Sequence, residues 1–150
     1  MTGLDDIRDL AGRDHGLAVV AVPRDDGTVG ASVVNAGVLA HPVDGDHVVA
    51  FVSGAASRRL DRLRAGHPIT VTFRAGWTWA SVEGHAEIAG PDDPHPQLDA
   101  ATIPGLLRAI FTAAGGTHED WTAYDKAMAD ERRAAVLIRP QRTYTNPSAP

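Results

Sequence analysis

Six stretches of strand-like sequence, joined mostly by short turns, limit the possible folds of this chain more than any other feature does. Leu17–Val22 is a continuous apolar run, as expected for a strand buried on both faces, whereas Ile69–Arg74 alternates apolar and polar residues, as expected for a strand with one buried face. Helical spacing occurs in places, but without the regular strand–helix alternation of a doubly wound sheet. The pattern therefore predicts a mainly β domain of mostly antiparallel strands with inserted helices.

Turn and cap residues set the expected bounds of the other elements. Strands are predicted at 29–39, 47–53, 77–89 and 134–138, the last continuing toward residue 144. Helices are predicted at 5–13, from Ser57 to just before Gly66, at 103–114, and from Thr117 as N-cap to about Glu131, burying Trp121, Tyr124 and Met128. Gly84 predicts a β-bulge in the long strand. Residues 1–150 are expected to form one domain, with 1–4 and 146–150 flexible.

Composition excludes several classes of protein. The chain has no cysteine, so it has no disulfide and no thiolate nucleophile or ligand. No apolar run reaches the roughly 20 residues of a membrane span. The first residues are acidic and lack the pattern of a signal peptide, so a cytoplasmic protein is expected. The net charge of −5 provides no general attraction for nucleic acid.

The turn Ser53–Arg59 is the strongest candidate for a binding site. Arginine makes up 13 of the 14 basic residues, and four arginines fall between positions 58 and 64. Backbone N–H groups at a helix N-terminus favour anions, and the arginine fork suits phosphate oxygens. Cations are mildly unfavourable in a first helical turn. The turn therefore predicts an anion cradle, although its spacing is equally compatible with Ser57 as an ordinary N-cap beside solvated arginines.

A second candidate is the strand that begins near Trp77. Trp77 and Trp79 are two residues apart and are expected to share a strand face. Such a pair suits the wall of an aromatic ligand site, a dimer interface or a core patch. Glu83, His85 and Glu87 continue the alternation, which predicts either a polar cleft mouth or a solvated face.

Motifs for other chemistries are absent from the sequence. The seven histidines show no HExxH motif, and His41 and His47, which have five residues between them, straddle a turn, so no metal site is predicted. The nucleophile elbow, the dinucleotide fingerprint and the Walker motif are also missing. No side chain stands out as a catalytic acid, base or nucleophile, and the catalytic residues therefore stay unassigned.

Three stretches resemble the pyridoxamine-phosphate-oxidase-like flavin-binding split β-barrels. Ser57–Leu63 is similar to that family's turn and helix, and Gly76–Ala86 to its long strand with an aromatic pair. The segment from Gly116 to Arg133 resembles the actinobacterial branch of deazaflavin-dependent reductases, which use coenzyme F420. Arg59 stands where the family commonly has lysine, and position 62 has arginine in place of the usual asparagine.

The resemblance implies a six-stranded antiparallel split β-barrel of the FMN-binding type, which forms a homodimer with cofactor sites at the subunit interface. Serines and arginines of the 53–59 turn would hold phosphate, and the small-residue strand near Val34 would carry the cofactor ring. Arg62 would reach the longer acidic tail of F420 or point into solvent. The cofactor-binding residues implied in this way are Ser32, Val34, Asn35, Ser53, Ser57, Arg58, Arg59, Arg62, Trp77 and Trp79.

The same resemblance implies an oxidoreductase in which reduced F420 passes hydride to an unsaturated or conjugated small molecule. In such proteins the cofactor carries the chemistry, and the protein supplies binding, orientation and electrostatics. Three alternatives stay open from the sequence: an FMN-dependent oxidase or reductase of the same fold, a non-catalytic carrier of a flavin or similar ligand, and an empty barrel that serves as an interaction module.

Overall fold

A computed structural model describes residues 3–146 as four α-helices and six strands. Residues 1–2 and 147–150, where most of the flexible ends are expected, lie outside the described residues. Among residues 3–146, no helix has the length and apolarity of a membrane span. In chain order the elements are α1 Leu4–Gly12, β1 Leu17–Pro23, β2 Val29–Ala40, β3 His47–Ser53, α2 Arg58–Arg64, β4 Ile69–Ala75, β5 Thr78–Ala89, α3 Ile103–Ala113, α4 Trp121–Asp130 and β6 Ala134–Tyr144.

The strands form a closed barrel in the order β1–β2–β3–β6–β5–β4, in which β4 pairs back onto β1. Every pairing is antiparallel. The prediction of a mainly β, six-stranded antiparallel barrel with inserted helices is therefore confirmed. The predicted bulge is confirmed as well, because the β5–β6 register shifts between Glu83 and Gly84. A Cβ on Gly84 would collide with the carbonyl oxygen of Arg139, so this position requires glycine.

Strands β2 and β3 separate part-way along their length. Their pairing runs from Ala40 opposite His47 to Ala36 opposite Phe51. Beyond that point, residues 29–35 of β2 pair with β1, while the end of β3 continues to pair with β6 as far as Ser53. The barrel is therefore open between the ends of β2 and β3, close to where α2 begins. This opening positions the candidate site.

Strand β3 and the first five residues of β6 are buried on both faces. Phe51 and Val136 belong to the core inside the barrel, whereas Ala50 and Leu137 belong to a second apolar cluster with residues of α3 and α4, such as Leu107. Helix α3 approaches β2 so closely at Gly37 that a Cβ there would collide with the Ala113 backbone. Burial of each Phe or Leu side chain contributes about 1.5–3 kcal/mol, so the second cluster holds α3 firmly beside the opening.

Strand β1 differs from the prediction because only one of its faces is buried. Ala18 and Val20 point into the core, but Leu17 and Val19 are 45% and 46% exposed. Val19 lies opposite Val33 of β2, which is 64% exposed. Since α3 packs over β2, β3 and β6 instead, the prediction of burial on both faces is wrong for the single chain. An apolar surface on β1 and β2 is left uncovered.

Helix α4 begins later than the sequence suggests. Asp120, rather than Thr117, is its N-cap, and the Asp120 carboxylate accepts a hydrogen bond from the Ala123 N–H at 3.1 Å. Both residue types are good N-caps, so the choice between them depends on tertiary packing. Of the three residues expected to be buried on this helix, Tyr124 is buried, while Trp121 and Met128 are half-buried.

Candidate anion and cofactor site

Arg59, the second residue of α2, bridges the opening between β2 and β3. Its Nη1 donates to Ser32 Oγ on β2 at 2.7 Å, and its Nη2 donates more weakly to Ser53 Oγ on β3 at 3.5 Å. The guanidinium carbon lies 5.2 Å from the centre of the Phe51 ring, within the range of a cation–π contact. Two hydroxyls and an aromatic ring thus fix the position of the guanidinium group.

The charge of Arg59 is not balanced by the described part of the chain. Its Nε is buried without a hydrogen-bond partner there, and it forms no ion pair with a described residue. Burial lowers the pKa of Arg59, and the nearby charge of Arg62 lowers it further, yet an arginine stays protonated in a protein. Burying an unpaired charge costs free energy. The arrangement is therefore suited to an external anion.

Two more guanidinium groups lie near the same opening. A Cβ built on Gly30 would be 2.9 Å from Nη2 of Arg62 and 3.0 Å from Nη2 of Arg24, so both groups lie against this glycine. The Nε of Arg62 is likewise buried without a partner among the described residues. In contrast, Arg64 is paired with Asp61 and Asp93, each at 2.8 Å. No sequence pattern pointed to Arg24, because it follows β1 and lies far from α2 along the chain.

A cavity of about 370 Å³ adjoins Arg59. The separated ends of β2 and β3 form one side, and α3 and α4 cover the other. Its lining residues are Val33, Val34, Asn35, Val52, Ser53, Gly54, Arg59, Ile110, Phe111, Tyr124, Met128 and Arg133. The structure thus brings together the predicted residues Val34, Asn35, Ser53 and Arg59, with Ser32 in direct contact with Arg59.

Asn35 also has a structural task. Its Nδ2 donates to the carbonyl oxygens of His15 at 2.7 Å and Ala114 at 3.0 Å. The side chain therefore ties β2 to the end of α3. Only its Oδ1 remains as an acceptor toward the cavity.

Ser57 and Arg58 lie outside the lining of this cavity. Ser57 is the N-cap of α2 by backbone conformation, but its hydroxyl accepts no hydrogen bond from the helix. Arg58 is exposed and has no hydrogen bond or ion pair within residues 3–146. Their roles in phosphate binding remain predictions from the resemblance.

The two tryptophans lie away from the cavity in the single chain. Trp77 sits in the turn between β4 and β5 and is 96% exposed. The prediction that it shares a strand face with Trp79 is wrong, because β5 begins only at Thr78. Trp79 donates from Nε1 to Asn146 Oδ1 at 3.0 Å and packs edge-on against Tyr144. A contribution from a partner subunit stays a prediction for both.

Among the cavity residues, Tyr124 has a hydroxyl of the kind that can donate a proton in catalysis, but its surroundings disfavour proton transfer. Its hydroxyl donates to the Leu107 carbonyl oxygen at 3.1 Å, and burial raises its pKa. A hydroxyl held in this way transfers its proton poorly. The cavity is therefore suited to binding and orienting a ligand rather than to acid–base chemistry by its own side chains.

A separate cluster joins His41, Glu87 and His95, whose ligand-type atoms lie within 4.8 Å of one another. Nε2 of His41 and of His95 lies 3.1 and 2.8 Å from Glu87 Oε1, and Arg139 Nε lies 2.6 Å from Oε2. Sequence reasoning missed the cluster because the histidines lie in two distant loops. Glu87 belongs to the polar strand face predicted at residues 83–87, and it is hydrogen-bonded to protein side chains rather than solvated.

The histidine rings in this cluster are oriented for hydrogen bonding. Each Nδ1 accepts a backbone N–H two residues further on, from Val43 and from Gln97, both at 3.1 Å. This assigns the proton of each neutral ring to Nε2, which donates to Glu87. A metal on Nε2 would force an Nδ1 proton against a backbone N–H. The arrangement therefore favours a hydrogen-bonded latch between the two loops.

Solved structures resemble the whole chain in fold. The sequence matches no protein-family model. Conserved hypothetical protein Rv2991 from Mycobacterium tuberculosis superposes with a TM-score of 0.68 at 18% identity, covering 97% of this chain and 84% of that one. A pyridoxamine 5'-phosphate oxidase-related, FMN-binding protein from Nostoc punctiforme gives 0.62 at 12%, covering 93% and 81%. An F420 reductase gives 0.59 at 14%, covering 91% and 94%.

Identities of this size establish similarity of fold and nothing finer. The closed antiparallel barrel, the parting of β2 and β3 and the coverage of these neighbours agree with one another. The chain has the split β-barrel fold found in pyridoxamine 5'-phosphate oxidase-related, FMN-binding proteins.

Proposed function

We propose that this protein is an oxidoreductase that binds the deazaflavin coenzyme F420 and uses its reduced form to transfer hydride to an unsaturated or conjugated organic molecule. The observation that carries the proposal is Arg59, a positioned guanidinium group beside a cavity of about 370 Å³, with a buried Nε that has no partner among the described residues. The fold is shared with an FMN-binding protein and with an F420 reductase, which supports a ligand of the flavin type.

The residues present fit a phosphorylated cofactor. Arg59 and the hydroxyl of Ser53 offer donors to a phosphate group, and the backbone at Gly54 lies at the same side of the cavity. Charge-assisted bonds from arginine to phosphate are among the strongest in proteins. Arg24 and Arg62 extend the positive surface past the cavity. This extension supports F420 over FMN, because F420 carries the longer and more acidic tail.

When bound, F420 supplies the hydride. The chain's own part is to orient the cofactor and exclude water. Ile110, Phe111 and Met128 provide an apolar wall, and the exposed backbone of residues 33–35 offers groups for the polar edge of a ring. Because the Tyr124 hydroxyl is bonded to Leu107, we assign the accompanying proton to solvent.

A homodimer belongs to the same proposal. Leu17, Val19 and Val33 form an exposed apolar face on β1 and β2, and this face adjoins the strand that borders the cavity. A continuous apolar run in β1 is explained if a second copy covers its outer side. Trp77 and Trp79 would then reach a cofactor only across the interface.

Titration of the purified protein with F420 and FMN, each followed by its own fluorescence, tests the cofactor. We expect saturable binding of F420 and weaker binding of FMN. Arg59→Ala should weaken F420 binding about 10- to 150-fold, since a charge-assisted bond to phosphate contributes about 1.5–3 kcal/mol. Arg8→Ala, which removes an arginine paired with Asp5 on α1, is the matched control. Tight binding of FMN without binding of F420 would identify FMN as the cofactor instead. Failure of both F420 and FMN to bind would refute the proposal.

A further inference from the structure

A second cavity of about 370 Å³ lies between the β5–α3 loop, α3 and α4. Leu98, Ile103, Leu107 and Met128 supply apolar walls. The loop is fastened in place: Asp93 is bound by Arg64, and His95 is bound by Glu87. Its size lies within the range of small-ligand cavities, which are mostly apolar with a few polar groups. The cavity is therefore preformed rather than a gap beneath a loose loop.

The acidic groups at this cavity are already neutralised. Asp93 receives Nε and Nη2 of Arg64, both at 2.8 Å. Asp125 receives two hydrogen bonds from Arg108, one of them at 2.9 Å. The His95 Nε2 is held by Glu87 at 2.8 Å. Three polar lining residues thus have partners that satisfy their charge or hydrogen-bonding capacity, and none is left to attract a cation.

Arg133 is the charged lining residue that is still available. Its Nε donates to Glu131 at 2.9 Å, in a pair that joins a half-buried arginine to an exposed carboxylate, while its Nη groups have no hydrogen bond within residues 3–146. The end of α4 directs this residue inward: Arg132 adopts a left-handed conformation, and the Arg133 N–H donates to the Met128 carbonyl at 2.9 Å. Together with the Arg132 N–H, which donates to the Ala129 carbonyl at 3.1 Å, this bond forms a Schellman motif. The backbone of Arg133 is therefore fixed, and its side chain lines both this cavity and the cofactor cavity.

We propose that this second cavity binds an organic carboxylate with an unbranched apolar chain. The chain lies along Leu98, Ile103 and Leu107, and the carboxylate binds the Nη groups of Arg133. Charge complementarity selects the head group, because the acidic lining residues are paired while the Nη groups of Arg133 are still available as donors, so an anionic head group is favoured over a neutral or cationic one on the same apolar chain. The inference does not depend on F420, since every group it uses belongs to this chain.

Isothermal titration of the full chain with decanoate, octanoate and decanol, without added cofactor, tests the site. We expect one saturable decanoate site per chain, with affinity falling about fourfold for each methylene removed, as burial of a methylene predicts. Arg133→Gln should weaken decanoate at least tenfold and change decanol less than twofold. Ala129→Phe, a substitution at an exposed lining position, should abolish both, whereas Ala127→Phe, exposed on the same helix outside the lining, should change neither.

Absence of saturable decanoate binding would overturn the proposal. So would equal decanoate affinity in the wild type, Arg133→Gln and Ala129→Phe, because binding would then lie elsewhere. Circular dichroism of each variant shows whether it is folded, and the Arg133→Gln comparison of decanoate with decanol holds even if Ala129→Phe is unstable. Because Arg133 lines both cavities, F420 titration of the wild type and of Ala129→Phe, whose site lines only the second cavity, reports on the cofactor cavity separately.

Discussion

Glu87 links pH to stability in this protein. Burial alone would raise its pKa, but hydrogen bonds from His95, Arg139 and His41 outweigh that effect and lower the pKa to about 2 from 4.5. Because the folded-state pKa lies below the unfolded value, the ionised carboxylate stabilises the fold fully above pH 4.5. This contribution is lost as the pH falls toward 2.

The size of the effect follows from the same shift. A shift of one pKa unit corresponds to about 1.4 kcal/mol, but the side chain is 29% exposed and solvent screening reduces the value to roughly 1–2 kcal/mol. Glu87→Gln keeps the shape and removes the charge, so it should lower the free energy of unfolding by that amount at pH 7 and the melting temperature by about 2–8 °C.

Urea unfolding of wild type and Glu87→Gln at pH 7, 5, 4 and 3 provides the assay. The difference in unfolding free energy should be constant from pH 7 to 5 and shrink below pH 4.5. Glu119→Gln, at an exposed position before α4, should differ little from wild type at every pH. A difference that persists unchanged to pH 3, or no difference at pH 7, would refute the assignment of the latch to the Glu87 carboxylate.

Three further predictions concern packing, assembly and cofactor choice. Gly37→Ala should destabilise the protein by about 1–3 kcal/mol in thermal unfolding, because its methyl group collides with the α3 backbone; unchanged stability would mean that α3 moves freely. Val33→Glu should convert a dimer into monomers in light scattering, with exposed Thr122→Glu on α4 as control, and a monomeric wild type would contradict the proposed dimer. Arg62→Ala should weaken F420 more than FMN, and equal losses would place this arginine at the shared phosphate.

Local signals predicted the elements that depend on neighbours in sequence. Ser57 and Gly66 bracket α2, and Gly84 marks the bulge, since caps and bulges are decided within a few residues. Trp77 shows the limit of this reasoning: the strand begins one residue after it, and that single step moves the side chain from a strand face into a turn. Boundaries are the least certain part of a pattern.

Tertiary structure decided the features that the sequence did not predict. Leu17 and Val19 belong to an apolar run like those of buried strands, but the sequence of a strand does not show which other element covers each of its faces. Arg24 meets Arg62, and His41 meets His95, only because barrel closure and loop packing bring distant segments together. Among the cofactor-site residues, Ser53 and Arg59 could be predicted from the sequence because both belong to one short segment.

The separation of β2 and β3 suggests a second role for Arg59, at the strand edges. A closed barrel has no free strand edges, but this opening exposes two short ones that face each other, residues 29–35 and 52–53. Exposed edges invite pairing with strands of other molecules, and proteins commonly guard them with a charged side chain. Arg59 stands between the two edges, bonded to one hydroxyl on each. Arg59, which is proposed to bind the cofactor phosphate, is therefore also expected to protect these edges from aggregation, so its loss should lower solubility as well as weaken binding.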